Sequence, residues 1–253
     1  MGSHVAVWGV VGGTSDAAEG DVDAVLPWAS VTKLATSLAV VVACEEGTLS
    51  FDQACGPPGS TVRHLLAHAS GLHFTSDAVL AAPGTRRIYS NTGYEVLGRA
   101  VAESSGMPFE QYLGEAVLSP LGMTSTALRG TPAAGLVGPL RDLLLLAGEL
   151  RRPTLVTTPM RDVAFPGLPG VLPGFGQQRS NDWGLGPEVR GWKSPHWTST
   201  RNSPRTFGHF GASGSFLWVD PEADLAACYL GDRPFGDWAV REWPRLSDRI
   251  LES

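Results

Sequence analysis

The chain has 253 residues, of which 43% are apolar and 17% charged, with a formal net charge of −6. That length suits one globular domain or two interlocked ones, and the acidic balance argues against nucleic acid or an anionic membrane as main partner. No window approaches the ~18 uninterrupted apolar residues of a membrane span.

Residues 1–4, Met-Gly-Ser-His, read as an expression-tag remnant and are set aside. No secretory signal follows, which leaves the compartment open with the cytoplasm favoured. Residues 5–11 form a β-rich run ending at Gly12-Gly13. An apolar helix is predicted from Ser30 to about Glu46, stopped by Gly47 at the position of a C-cap glycine. Residues 60–66 read as a capped short helix. Helices are predicted over 92–105 (ended by Gly106), 109–118 and 140–150. Residues 153–205, rich in Gly, Pro, Ser and Trp, are expected to be mostly loop, with one strand near 183–190. Residues 214–219 and 225–230 read as a hairpin, and 238–251 as a closing helix interrupted at Pro244. Cys44, Cys55 and Cys228 are widely spaced and read as reduced and structural, with at most one disulfide.

Three short motifs carry chemistry. In Ser30-Val31-Thr32-Lys33 a serine and a lysine stand three apart, on one helix face. A serine is a weak nucleophile until a base takes its proton, and a desolvated lysine can be that base. Tyr89-Ser90-Asn91 and Gly208-His209-Phe210-Gly211-Ala212-Ser213-Gly214 follow in order. Read singly, Ser30 is an ordinary helix cap, Tyr89 an aromatic core residue and His209 a structural histidine.

The ordered set S-x-x-K, Y-x-N and His-x-Gly resembles the serine β-lactamases and penicillin-recognising enzymes, in their class C-like branch. That branch includes D-alanyl-D-alanine carboxypeptidases, D-aminopeptidases and carboxylesterases. Connecting segments such as Glu46-Gly47-Thr48-Leu49-Ser50-Phe51-Asp52 and His64-Leu65-Leu66-Ala67-His68-Ala69-Ser70-Gly71-Leu72 are similar too. The likeness runs from about Trp28 to Leu230 and is weakest over 153–205.

The resemblance implies an α+β fold: an antiparallel sheet flanked by helices, with an inserted all-helical lobe. Residues 1–55 and 181–253 would form the sheet domain and 56–180 the helical one, with the site at the seam. It implies Ser30 as nucleophile, and Tyr89 as general base with Lys33, held as phenolate or proton relay. Asn91 would offer its amide to an acyl-side carbonyl and to Lys33. His209 would move a proton or, when charged, hold a substrate carboxylate. Gly211 would let the strand backbone approach the substrate, and the Ala212 and Ser30 N–H groups would form the oxyanion hole.

Phe210 departs from the pattern, because carboxylate-binding members have Thr or Ser there. An apolar ring tilts the reading toward ester substrates, with Trp28, Trp183, Trp192 and Trp197 as candidate pocket walls. His64-x-x-x-His68 has metal spacing but lacks the glutamate of H-E-x-x-H, and no phosphate loop, dinucleotide fingerprint or G-x-S-x-G elbow occurs. No metal or cofactor is expected. The reading is a serine acyl hydrolase working through an acyl-Ser30 intermediate on a small ester, amide or β-lactam, esters favoured. The alternatives are a D-alanyl-D-alanine carboxypeptidase or β-lactamase, and a non-catalytic binding protein of the same fold.

Overall fold

The computed structural model describes residues 4–13 and 17–252. Of the segment read as a tag remnant, residues 1–3 lie outside the described residues; His4 lies 3.1 Å from Asp232 Oδ1 through its ring Nδ1.

In chain order come β1 (Ala6–Gly12), β2 (Ala17–Glu19), β3 (Leu26–Pro27), α1 (Thr32–Glu45), α2 (Val62–Leu66), α3 (Asn91–Ser105) and α4 (Phe109–Leu113). They are followed by β4 (Ala127–Leu128), β5 (Leu136–Gly138), α5 (Leu140–Arg151), β6 (Gly170–Leu172), β7 (Gly176–Gln178) and β8 (Glu188–Val189). The chain closes with β9 (Phe207–Gly211), β10 (Ser215–Asp220), β11 (Leu225–Gly231) and α6 (Asp237–Glu252). The main sheet runs β2-β1-β11-β10-β9-β8 and is antiparallel throughout. Both chain ends therefore share one sheet, joined where Val7 faces Leu230.

Alternation along the strands separates two cores. Leu217, Val219, Ala226, Cys228 and Leu230 join the larger one with α1 and α5. Phe216, Trp218 and Ala227 meet Trp243 and Leu246 of α6 on the other face. α6 buries Ala239, Trp243, Leu246, Ser247 and Ile250 along one stripe and runs through Pro244 without a break. The predicted interruption does not occur, because this packing outweighs the one ladder bond that proline removes. α5 lies on the sheet although it belongs to the segment 56–180 expected to form the helical lobe.

α1 is buried on nearly every side, including Thr32, Lys33, Thr36 and Ser37. Each polar group has a partner, as burial demands. Thr32 Oγ1 accepts from Leu136 N–H at 3.0 Å, Thr36 Oγ1 donates to Pro132 O at 2.7 Å, and Ser37 Oγ lies 3.0 Å from Tyr94 Oη. The helix begins later than predicted, at Thr32, after a 3-10 turn over Ala29–Val31. No side chain caps it, so Ser30 is not a cap. α2 likewise lacks the expected side-chain cap and starts at Val62. In the 153–205 region the predicted strand shrinks to β8, while the hairpin β6–β7 goes unpredicted because its strands are three residues long and glycine-rich.

Candidate active site

Ser30 sits in its 3-10 turn directly after Ala29, whose φ of 45° is unusual for a residue with a side chain. The β9–β10 turn holds this segment: Ser213 Oγ donates to Pro27 O and Ser215 Oγ to Trp28 O, each at 2.8 Å. A Cβ on Gly211 would lie 2.6 Å from Trp28 O and 3.0 Å from Ala29 Cβ, and would strike Ser215 Oγ. The space that the missing Cβ leaves at Gly211 is taken up by the Ser30 turn. Ala212, next in the chain, lines the same cavity as Ser30. Its carbonyl accepts from Phe235 N–H at 2.9 Å, and among the described residues its N–H has no hydrogen-bond partner.

Lys33 is fully buried. Its Nζ lies 2.7 Å from Asn91 Oδ1, 2.8 Å from Ala133 O and 3.4 Å from Ser30 Oγ. Burial pulls its pKa well below the ordinary 10.5, with Glu95 opposing. As an ammonium its three N–H groups reach those three oxygens. As a neutral amine the two short bonds use both N–H groups and leave the lone pair toward Ser30 Oγ.

Tyr89 Oη lies 3.4 Å from His209 Nε2. Burial raises the phenol's pKa, a hydrogen bond with Ser30 opposing, so the resting group is a phenol and not a phenolate. His209 Nδ1 lies 2.7 Å from Phe210 O, which makes it the protonated nitrogen and leaves the Nε2 lone pair for the Tyr89 O–H. Burial and the nearby Lys33 charge lower the His209 pKa to about 3. The resting imidazole is therefore neutral, and the cation role expected of it would require the substrate carboxylate itself to raise that pKa.

Asn91 opens α3, with Ser90 as its N-cap accepting from Gly93 N–H at 3.0 Å. His68 Nδ1 in turn accepts from Ser90 N–H at 3.1 Å, and its ring packs against those of Tyr89 and Trp183, each at 4.6 Å. The sequence offered His68 only as half of a metal-like pair. His64 instead pairs with Thr61 and stacks on Phe165 at 4.3 Å. Among the described residues no three His, Cys, Asp or Glu side chains gather as metal ligands, and all three cysteines are free.

A cavity of about 500 Å³ opens beside Ser30, Tyr89, His209 and Ala212. Trp183, Trp197 and Phe210 line it; Trp28 is core, donating to Gly138 O, and Trp192 is 88% exposed away from it. Three charged residues line the cavity; Arg86 is exposed, and the other two are tied up internally. Arg87 donates to the carbonyls of Asn181, Ala67, Ala164 and Phe165. Glu188 receives Lys193 at 2.5 Å, His196 at 3.0 Å and the Trp197 indole at 2.6 Å. The Arg87 bonds reach across the chain and the Glu188 cluster closes within nine residues, and together they fix the 160–200 loops as a wall.

An antiparallel sheet flanked by helices, with a serine–lysine–tyrosine set where the edge of β9 meets the starts of α1 and α3, defines a β-lactamase-type fold. The family profile described as beta-lactamase matches residues 3–251, and the chain belongs to that family. A crystal structure titled as a beta-lactamase from Mycobacterium bovis is 53% identical, with a TM-score of 0.96 over 98% of this chain and 94% of the other. EstCE1, titled a hydrolase with promiscuous acyltransferase activity, shares the fold at 18% identity, with a TM-score of 0.75 over 94% of this chain and 93% of its own. The D-alanyl-D-alanine-carboxypeptidase/endopeptidase AmpH of Escherichia coli is 28% identical over 147 residues, 44% of this chain. The chain covers 38% of that relative's length and 50% of a second curated Escherichia coli relative's.

Proposed function

We propose that the protein is a cofactor-independent serine acyl hydrolase that favours esters. One observation carries the reading: the buried Lys33 amine has two short acceptors for its two N–H groups and faces Ser30 Oγ with what remains. In this mechanism Ser30 Oγ attacks the carbonyl carbon and its proton passes to Lys33 Nζ. The Ser30 and Ala212 N–H groups hold the oxyanion. Collapse breaks the carbon–oxygen bond of the ester. The leaving alkoxide takes the Tyr89 proton, which the Lys33 ammonium replaces. Water then attacks the acyl-Ser30 ester, returns a proton through the same pair and frees Ser30. Asn91 Oδ1 is committed to Lys33, so its Nδ2 is the group available to the acyl side.

Phe210 supports esters over β-lactams and D-alanine termini. Its ring packs 4.9 Å from that of Phe235 and 5.8 Å from that of Trp197, and it offers no hydroxyl to a carboxylate. The second reading, a β-lactamase or D-alanyl-D-alanine carboxypeptidase, is favoured by relatives described as a beta-lactamase and as a D-alanyl-D-alanine-carboxypeptidase/endopeptidase. Intact-protein mass spectrometry after a fluorophosphonate, and separately after a penicillin, tests both. We expect a stoichiometric phosphonyl adduct on Ser30 and slow or absent penicilloylation. Rapid penicillin turnover promotes the second reading. No adduct from either reagent indicates a non-catalytic binding protein.

A further inference from the structure

The cavity continues outward as an apolar surface. Phe74, Leu80 and Val171 line it and are nevertheless 45%, 54% and 49% exposed, and Val79 is exposed beside Leu80. They come from two separate segments, the 74–80 loop and the β6–β7 hairpin, that meet at one mouth. Large apolar side chains left in water in a cluster mark a place where something apolar binds. Deeper in, Leu172, Pro173, Trp183, Trp197 and Phe235 continue the wall to Ser30. Of the three charged residues that line the cavity, Arg87 and Glu188 already have their partners within the fold, and Arg86 is exposed to solvent.

From this continuous path we infer that the substrate ester carries a long aliphatic chain, which lies in the cavity and leaves it across Phe74, Leu80 and Val171. The inference rests on the hydrolase reading and narrows its substrate class. A chain too long for the cavity still gains from each methylene, because the rim shields it from water. A short ester leaves the rim exposed and gains nothing there.

The test is kcat/KM for p-nitrophenyl acetate, butyrate and octanoate, each below its aggregation concentration. A rise of about 3–4-fold per added methylene is expected over part of the series, giving octanoate at least ~30-fold over acetate. Ethyl octanoate against octyl acetate shows whether the acyl or the alkoxy side occupies the path. Leu80→Glu/Val171→Glu should cut the octanoate-to-acetate ratio by ~10-fold or more. A binding arm is independent of turnover: in Ser30→Ala, 1-decanol should change the fluorescence of Trp183 and Trp197, and less so with the two glutamates present. Acetate turnover with labelled Ser30 but no rise with chain length sinks this inference and leaves the hydrolase reading standing. Decanol binding without turnover of any ester sinks the hydrolase reading and keeps the chain site. An unchanged ratio in the glutamate variant removes the rim from the proposal and overturns it.

Discussion

Lys33 Nζ and Asn91 Oδ1 lie 2.7 Å apart, which ties the helix behind Ser30 to the first residue of the helix after Tyr89. The bond uses one N–H of the amine and sets which way its remaining valence points. A neutral amide does this without charge, so the lysine can stay deprotonated.

Asn91→Asp tests that balance with almost no change in shape. A carboxylate at this distance favours the ammonium form of Lys33 and raises its pKa. The acid limb of the kcat/KM profile should move to higher pH, with activity low at pH 7 and recovering in alkali. An unshifted profile would mean that Lys33 is not the base.

Lys33→Met and Tyr89→Phe should each lower kcat by at least ~10²-fold, within the range of general acid–base groups. If the pair passes one proton back and forth, the double variant loses far less than the product of the two losses. A double-mutant cycle on purified protein reads this directly, and multiplicative losses would separate the two roles.

Gly211→Ala should push on Trp28 O and Ala29, which leave it no space. Overpacking of this kind costs ~1–3 kcal/mol, visible as a lower Tm. The displaced part is the Ser30 turn, so kcat should fall more than KM rises. A drop in Tm with unchanged kcat would show that the turn relaxes without moving Ser30.

Much of this site was legible because its chemistry is local. Ser30 and Lys33 are one helical turn apart, and Tyr89 and Asn91 flank a single cap residue. Ala133 was not legible, since its contribution is a backbone carbonyl brought in from 100 residues away. His68 was visible as a spacing, but its work is to accept one backbone N–H. Ser213, part of the third motif, and Ser215, in the predicted strand 214–219, gave no sign that they hold Pro27 and Trp28. In the fold, the long helices and the hairpin β10–β11 showed through periodicity and turn chemistry. The hairpin β6–β7 and the edge strand β8 are too short to carry a period, and the long-range bonds of Arg87 together with the buried Glu188 cluster hold their surroundings.

Acid should destabilise the protein well before its carboxylates titrate. Burial holds the pKa values of His68, His196 and His209 below the ordinary 6.5. Below that pH the unfolded chain takes up protons that these folded imidazoles refuse. Stability is therefore complete above about pH 6.5 and falls as pH drops, by up to ~1.4 kcal/mol per pH unit for each histidine. The His209 window extends down to about 3, whereas Glu188, also held low, adds to the loss only below about 4.5. Tm measured between pH 7 and pH 5 should decline, and His209→Gln should flatten the decline by one histidine's share. Equal Tm values at the two pH values would refute the assignment.

The proposed ester preference rests on Phe210. A β-lactam carboxylate entering beside this ring loses water and gains no hydroxyl, a penalty of ~1–3 kcal/mol or more. An ester brings no carboxylate and meets an aromatic wall instead. The enzyme should hydrolyse a p-nitrophenyl ester with higher kcat/KM than a chromogenic cephalosporin. Phe210→Thr restores the hydroxyl but also empties a position among Phe175, Phe235, Trp197 and Trp243. Truncating a fully buried aromatic costs ~3–5 kcal/mol; Phe210 is half-buried, so this variant should show a smaller drop in Tm along with its altered selectivity. Comparing both substrates on both proteins, each at a temperature where it is folded, cancels the stability loss from the ratio. The ratio should move toward the cephalosporin in the variant. Efficient cephalosporin turnover by the unmodified enzyme would overturn the ester preference, because the carboxylate would then have found a partner other than residue 210.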